Sequence, residues 1–173
     1  MPQALDAEKA VISTMLIDSR TIPEVEAIVA PAEFYNGQYA QIFRAILQLS
    51  ARNEPVDMIS LVETLKQSGE LEQVGGVAAI VELATRSSYD TFQCGYYARI
   101  VKQKAISRRL IEICSQTINV CFDESQDIGD VIEAHEIAFT QLTRSLASDE
   151  SLSMDEAISK TMKQIYQLYE DRK

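Results

Sequence analysis

His135 is the only histidine of the chain, and a lone histidine can shuttle protons or form a pH-sensitive contact. It falls in the apolar register Ile132, His135, Phe139, where a hydrogen-bonded packing role is favoured over either. The three cysteines, Cys94, Cys114 and Cys121, form no CxxC pair. Cys114 and Cys121 lie seven residues apart on one helical face and read as packing residues rather than redox or metal groups. The acidic turn Asp123-Glu124-Ser125-Gln126-Asp127, with Asp130, invites a cation. It lacks the DxDxDG spacing and the distal Glu of a calcium loop, so a solvated turn with a helix-start carboxylate fits better.

Phosphate chemistry is no better supported. The chain contains no GxxxxGK[ST] loop, so it lacks the backbone cradle and Lys that hold nucleotide phosphates and should not hydrolyse ATP. Gly75-Gly76 has neither a preceding strand nor a following Lys and reads as a turn. A helical-bundle enzyme would need a metal or paired carboxylates, and no E-x-x-H pair supplies one. Arg99, Lys102, Lys104, Arg108 and Arg109 fall within eleven residues free of carboxylates, divided between two helix faces. Salt bridging to the acidic partner helix or to a neighbouring subunit accounts for them better than phosphate contact, which prefers one face and interleaved aromatics. The aromatics Phe34, Tyr35, Tyr39 and Phe43 have the spacing of core residues. A formal net charge of −10 argues against a major phosphate-binding surface.

The elements that carry these residues are helical, and the fold class predicted is all-α. With 173 residues and 46% hydrophobic content the chain can bury one core plus an appendage. It has no apolar run of membrane-spanning length and no signal-peptide start, which predicts a cytoplasmic protein without a membrane partner. Helices are expected over Leu5 to Ile17, Pro23 to Val29 behind a capping box at Thr21, and Gln38 to Ser50. Another is expected from Met58 to Gln67, ended by Gly69, and a fifth from Val77 to Ala84. Asp90 with Gln93 would cap a long helix from Tyr89 to Phe122, in which Gly95 costs ~1 kcal/mol relative to Ala.

That long helix and a second, Ile128 to Leu146, carry apolar residues in four-then-three steps and read as an antiparallel hairpin. The first seam runs Ile106, Leu110, Ile113, Thr117, Val120. The second runs Ile128, Ile132, His135, Phe139, Leu142, Leu146, a spacing that favours left-handed coiled packing. At ~1.5 Å per residue the first helix reaches roughly 50 Å, so it should project beyond the head and leave flanks that need a partner chain. Ala147 to Leu152 reads as a hinge, and Ser153 opens a last amphipathic helix with Met154, Ile158, Met162, Ile165 and Tyr169 on one stripe. The domains expected are a head over residues 1–88, a dimerising hairpin over 89–146, and a hinge with linker helix over 147–173. The whole reads as an excised portion of something longer.

An ordered set of short motifs resembles one family. Pro2-Gln3-Ala4-Leu5-Asp6-Ala7-Glu8-Lys9-Ala10-Val11-Ile12 and Ala32-Glu33-Phe34-Tyr35, followed by Ile42-Phe43, are similar to the start of the N-terminal domain of bacterial replicative DNA helicases of the DnaB family. Pro55-Val56-Asp57, Gly69-Glu70-Leu71-Glu72 before Gly75-Gly76, and Tyr97-Ala98-Arg99-Ile100-Val101 before Arg109-Leu110-Ile111 continue it, so that it spans Pro2 to Leu146. Tyr39 stands where family members often carry His.

The resemblance implies an all-helical head and a hairpin that pairs with that of a second subunit. Three such dimers would form a collar on a hexameric ring, where primase and a helicase loader attach. The linker helix would dock on an adjacent motor domain. ATP, magnesium and most DNA contacts would belong to that separate C-terminal motor, leaving this chain with no cofactor, metal or catalytic residue. The alternative is a stand-alone helical adaptor or helicase-loading regulator whose last helix folds back.

Overall fold

The computed structural model describes residues 1–85, 93–122 and 127–147. These form seven α-helices and no strand: α1 Leu5–Ile17, α2 Ile22–Ile28, α3 Gly37–Ala51, α4 Met58–Gln67, α5 Gly76–Thr85, α6 Cys94–Cys121 and α7 Ile128–Ala147. Short 3-10 turns at Ser19–Thr21 and Pro31–Glu33 flank α2. The stripe from Met154 to Tyr169 lies outside the described residues, as do the Asp90 cap, most of the acidic turn and the side chain of Leu146.

Short polar side chains decide where the head helices begin and end. Asp18 stops α1 in extended backbone, and its carboxylate accepts from Arg20 N at 3.0 Å and from the Arg20 guanidinium at 2.8 Å. Thr21 is not the cap that its spacing suggested: it is already helical, and its hydroxyl donates to the Asp18 carbonyl at 2.7 Å. Asn36 and Asp57 cap α3 and α4, each side-chain oxygen accepting from the two helical N–H groups that lack a partner within the helix. At the far end of α4, Gly69 has φ +73°, which lets Glu70 N return to Leu65 O at 2.9 Å.

The core is centred on α1, which packs against α3, α5 and α6. Val11, Ile12 and Met15 meet Ile42, Phe43, Ile46, Leu61, Leu65, Ile80, Ala98 and Val101, all buried. Leu5, at the start of α1, is exposed at the mouth of an apolar groove with Tyr97 and Ile100. Gly95 is buried in the first turn of α6, where a Cβ would run into the carboxylate of Glu24. Close approach of α2 to α6 is thus the reason a helix-weakening residue stands there, and it sets an anion beside a helix N-terminus.

Candidate partner-docking face of the hairpin

The first half of α6 is fastened to the head through Arg108 and Lys102. The Glu8 carboxylate, 1% exposed, accepts from Tyr35 N at 2.7 Å and Asn36 N at 3.0 Å. This fixes the segment between Pro31 and α3, and that segment holds the hairpin: Arg108 donates to the Glu33 carbonyl at 2.5 Å and to the Pro2 carbonyl at 2.9 Å. The Arg108 guanidinium also lies 5.5 Å over the Tyr35 ring, and Lys102 pairs with the Glu33 carboxylate at 2.7 Å. Of the basic run, Lys102 and Arg108 thus bond to the head, and Arg109 meets Glu112 of its own helix at 3.1 Å. Tyr35 leaves the aromatic core to make this contact, while Phe34 and Phe43 stay inside with ring centroids 4.9 Å apart.

Among the described residues, the helix beyond Glu112 is covered by α7. Ile113 is buried, and Ile106, Thr117 and Val120 are half covered; Leu110 is exposed. On α7 the inward line is Val131, His135, Ala138 and Leu142, with Val131 buried and the others half covered. The Nδ1–H of His135 donates to the Val131 carbonyl at 2.7 Å, a packing geometry. Ile128, Ile132 and Phe139, read as seam residues, are 62%, 61% and 40% exposed. Val131 was missed because the larger residues one position on make the more regular stripe.

The helix rotation explains this sorting and defines a face. Each residue turns an α-helix by about 100°, so Ile128, Ile132 and Phe139 sit roughly 80° to one side of the Val131–Ala138 line. On α6, Ile111, Cys114 and Ile118 are displaced in the same sense from the line through Ile106 and Ile113, by about 120°. Because the two helices run antiparallel, equal senses of displacement bring both stripes to one side of the hairpin. That side carries Leu110, Ile111 and Ile118 together with Ile128, Ile132 and Phe139. The other side presents Glu112, Gln116, Asn119, Asp130 and Gln141, with Ala134 and Ile137 among them.

Cys114 and Cys121 fall on this open side and are exposed, so the packing role read from their spacing does not hold within the chain. Cys94 is the packed cysteine, its Sγ 2.8 Å from Thr14 Oγ1, and burial pushes its thiol pKa up. Among the described residues no cluster of three or more potential metal ligands occurs. Asp127 instead caps α7, its Oδ1 accepting from Gly129 N at 2.8 Å. No helix of the described residues is long and apolar enough to cross a membrane.

An all-α head bearing a hairpin with one open apolar side has the form of an interaction domain. The model of the DnaB-like helicase N-terminal domain matches residues 1–103, and the chain belongs to that family. It is 33% identical over 164 residues to the replicative DNA helicase DnaB of Rhodothermus marinus, covering 95% of this chain and 17% of that protein. It is 32% identical to the DnaB of Geobacillus stearothermophilus, over 76% of this chain and 29% of that one. With the replicative helicase DnaC of Bacillus subtilis strain 168 it shares 26%, over 97% of this chain and 37% of the relative. The chain thus spans well under half the length of these relatives. The crystal structure of the N-terminal domain of DnaB helicase from Mycobacterium tuberculosis superposes with a TM-score of 0.74 at 28% identity, over 81% of this chain and 98% of that one. A DnaB-like replicative helicase, described with its interactions with primase, shares the fold at a TM-score of 0.64 and 22% identity, over 92% of this chain and 34% of that one.

Proposed function

We propose that the chain is the oligomerising and partner-recruiting part of a replicative DNA helicase. The observation that carries this is the open apolar side of the hairpin, where Ile128, Ile132 and Phe139 of α7 and Leu110, Ile111 and Ile118 of α6 face solvent together. Two such faces related by a two-fold axis would bury each other, since an isologous interface is complementary to itself. Hairpin pairing would then raise the effective concentration of motor domains for one another. A trimer of these dimers would make the collar of a hexamer and present composite surfaces for primase and a loader.

Unwinding, with ATP and magnesium, is assigned to a motor domain beyond the residues given, in a cytoplasmic setting; this chain supplies geometry and no chemistry. The amphipathic stripe Met154, Ile158, Met162, Ile165 and Tyr169 is proposed to dock on that motor. The test of pairing is Phe139→Asp, which puts a charge in the apolar face. Light scattering should return a smaller mass for the variant than for the parent at equal concentration; equal masses would remove the reading. The motor assignment is tested by extending the reading frame past Lys173. A GxxxxGK[ST] motif downstream supports it, whereas a stop codon favours a stand-alone adaptor.

A further inference from the structure

We propose that Cys114 and Cys121 form a modification site that gates hairpin pairing: a mixed disulfide with a small charged thiol on either sulfur and the self-associated state exclude one another. This rests on the pairing reading above and goes beyond it. The two thiols are exposed and lie two helical turns apart on the apolar side of α6. Cys114 is one turn from Leu110, Ile111 and Ile118, and Cys121 one turn from Ile118, all of them exposed. Across the hairpin the same side carries Ile132 and Phe139. Thiols are the nucleophiles of this face, open in the single chain and closed once a second copy covers it. Cys94 supplies an internal contrast, being fully buried beside Thr14.

The reaction is thiol–disulfide exchange with a low-molecular-weight disulfide such as oxidised glutathione. The cysteine loses its proton to solvent, and its thiolate attacks one sulfur of the disulfide. A new S–S bond joins the cysteine to one half, the old S–S bond breaks, and the other half leaves as a thiolate. The cysteine is oxidised and the departing half reduced, so electrons balance. The adduct carries two carboxylates and an ammonium onto a side whose large exposed residues are Leu, Ile and Phe, with Glu136 beside Phe139, and unpaired charge covered there by a second copy is strongly disfavoured. Either sulfur suffices, because a heptad separation sets both in the same seam. Linkage makes the effect reciprocal: pairing must protect the thiols by the factor by which the adduct weakens pairing.

The experiment uses the full chain at a concentration where the parent is paired. It follows mass by light scattering and adduct number by mass spectrometry as oxidised glutathione is added and then removed with dithiothreitol. Two adducts are expected, with Cys94 unmodified, and the mass should fall to that of one chain and recover on reduction. The dissociation constant should rise about tenfold or more, as expected for charge placed in an apolar contact. Cys114→Ser/Cys121→Ser should pair as the parent does and ignore the disulfide. Two adducts with unchanged mass would overturn the proposal, and so would a disulfide-linked pair of chains, since oxidation would then lock the face. A parent that remains a single chain at every concentration, or a Phe139→Asp variant of parental mass, would instead overturn the pairing reading beneath it.

Discussion

At the scale of single residues, Glu8 has the largest structural role for its type. It is a fully buried carboxylate held by two consecutive backbone N–H groups, and it ties α1 to the segment that grips Arg108. Glu8→Ala removes both charge-assisted bonds and leaves two donors without their acceptor, which should lower stability by about 2 kcal/mol or more. A shift of the urea midpoint at unchanged slope checks it. Asp57 acts at the surface. Asp57→Ala should lose the α4 cap at about 1 kcal/mol, read in the same titration. Backbone N–H groups, that of Ser60 first, hold the Asp57 carboxyl below its ordinary 3.8. The folded value is the depressed one, so this contribution is complete above 3.8 and lost as pH falls through the lower folded value. The parent and Asp57→Ala curves should therefore converge only in strong acid; convergence near neutrality would contradict the capping role.

At the scale of elements, the helix pattern was legible and the rotation of α7 was not. Apolar spacing located α3, α4 and the hairpin because a 3.6-residue period against a core leaves a regular trace, as at Ile42, Phe43, Ile46 and Leu49. The same rule sorted α7 only in part: His135 and Leu142 lie on the inward line with Val131 and Ala138, while Ile128, Ile132 and Phe139 face outward. Size alone cannot tell a seam within the chain from one reserved for a partner. Glu8 was readable in principle: it stands three, four and seven residues before Val11, Ile12 and Met15, which sets a carboxylate on the inner stripe and implies a buried acceptor role. The anchoring of Arg108 was not legible, because no side-chain pattern reveals the carbonyls of Pro2 and Glu33 as its acceptors. The two lines of α7 make separable predictions. Val131→Ala should cost about 1 kcal/mol or more of folding stability by removing buried methyls, and should show as a lower melting temperature of a dilute sample. Ile132→Asp should leave the stability of a dilute sample within about 0.5 kcal/mol of the parent, as exposed substitutions do, yet reduce the mass seen at high concentration. The opposite pairing of outcomes would mean that Ile132, not Val131, holds the hairpin closed.

For the molecule as a whole, pairing through the open apolar face of the hairpin would tie folding to assembly. A chain whose native state is stabilised by a second copy becomes more stable as it is concentrated, because association draws on the folded form and not the unfolded one. Above the dissociation constant a tenfold rise in concentration adds about 1.4 kcal/mol per mole of dimer, half of that per chain, or about 2 °C in melting temperature for a domain of this size. A monomer held together by the head core alone shows no such slope. Phe139→Asp should abolish the slope while leaving the dilute melting temperature near that of the parent, since Phe139 faces solvent in the single chain. A parent whose melting temperature is flat across a hundredfold range of concentration would mean that this face is covered by a different protein. Pairing would then have to be sought in the heads, through surfaces such as the groove of Leu5, Tyr97 and Ile100.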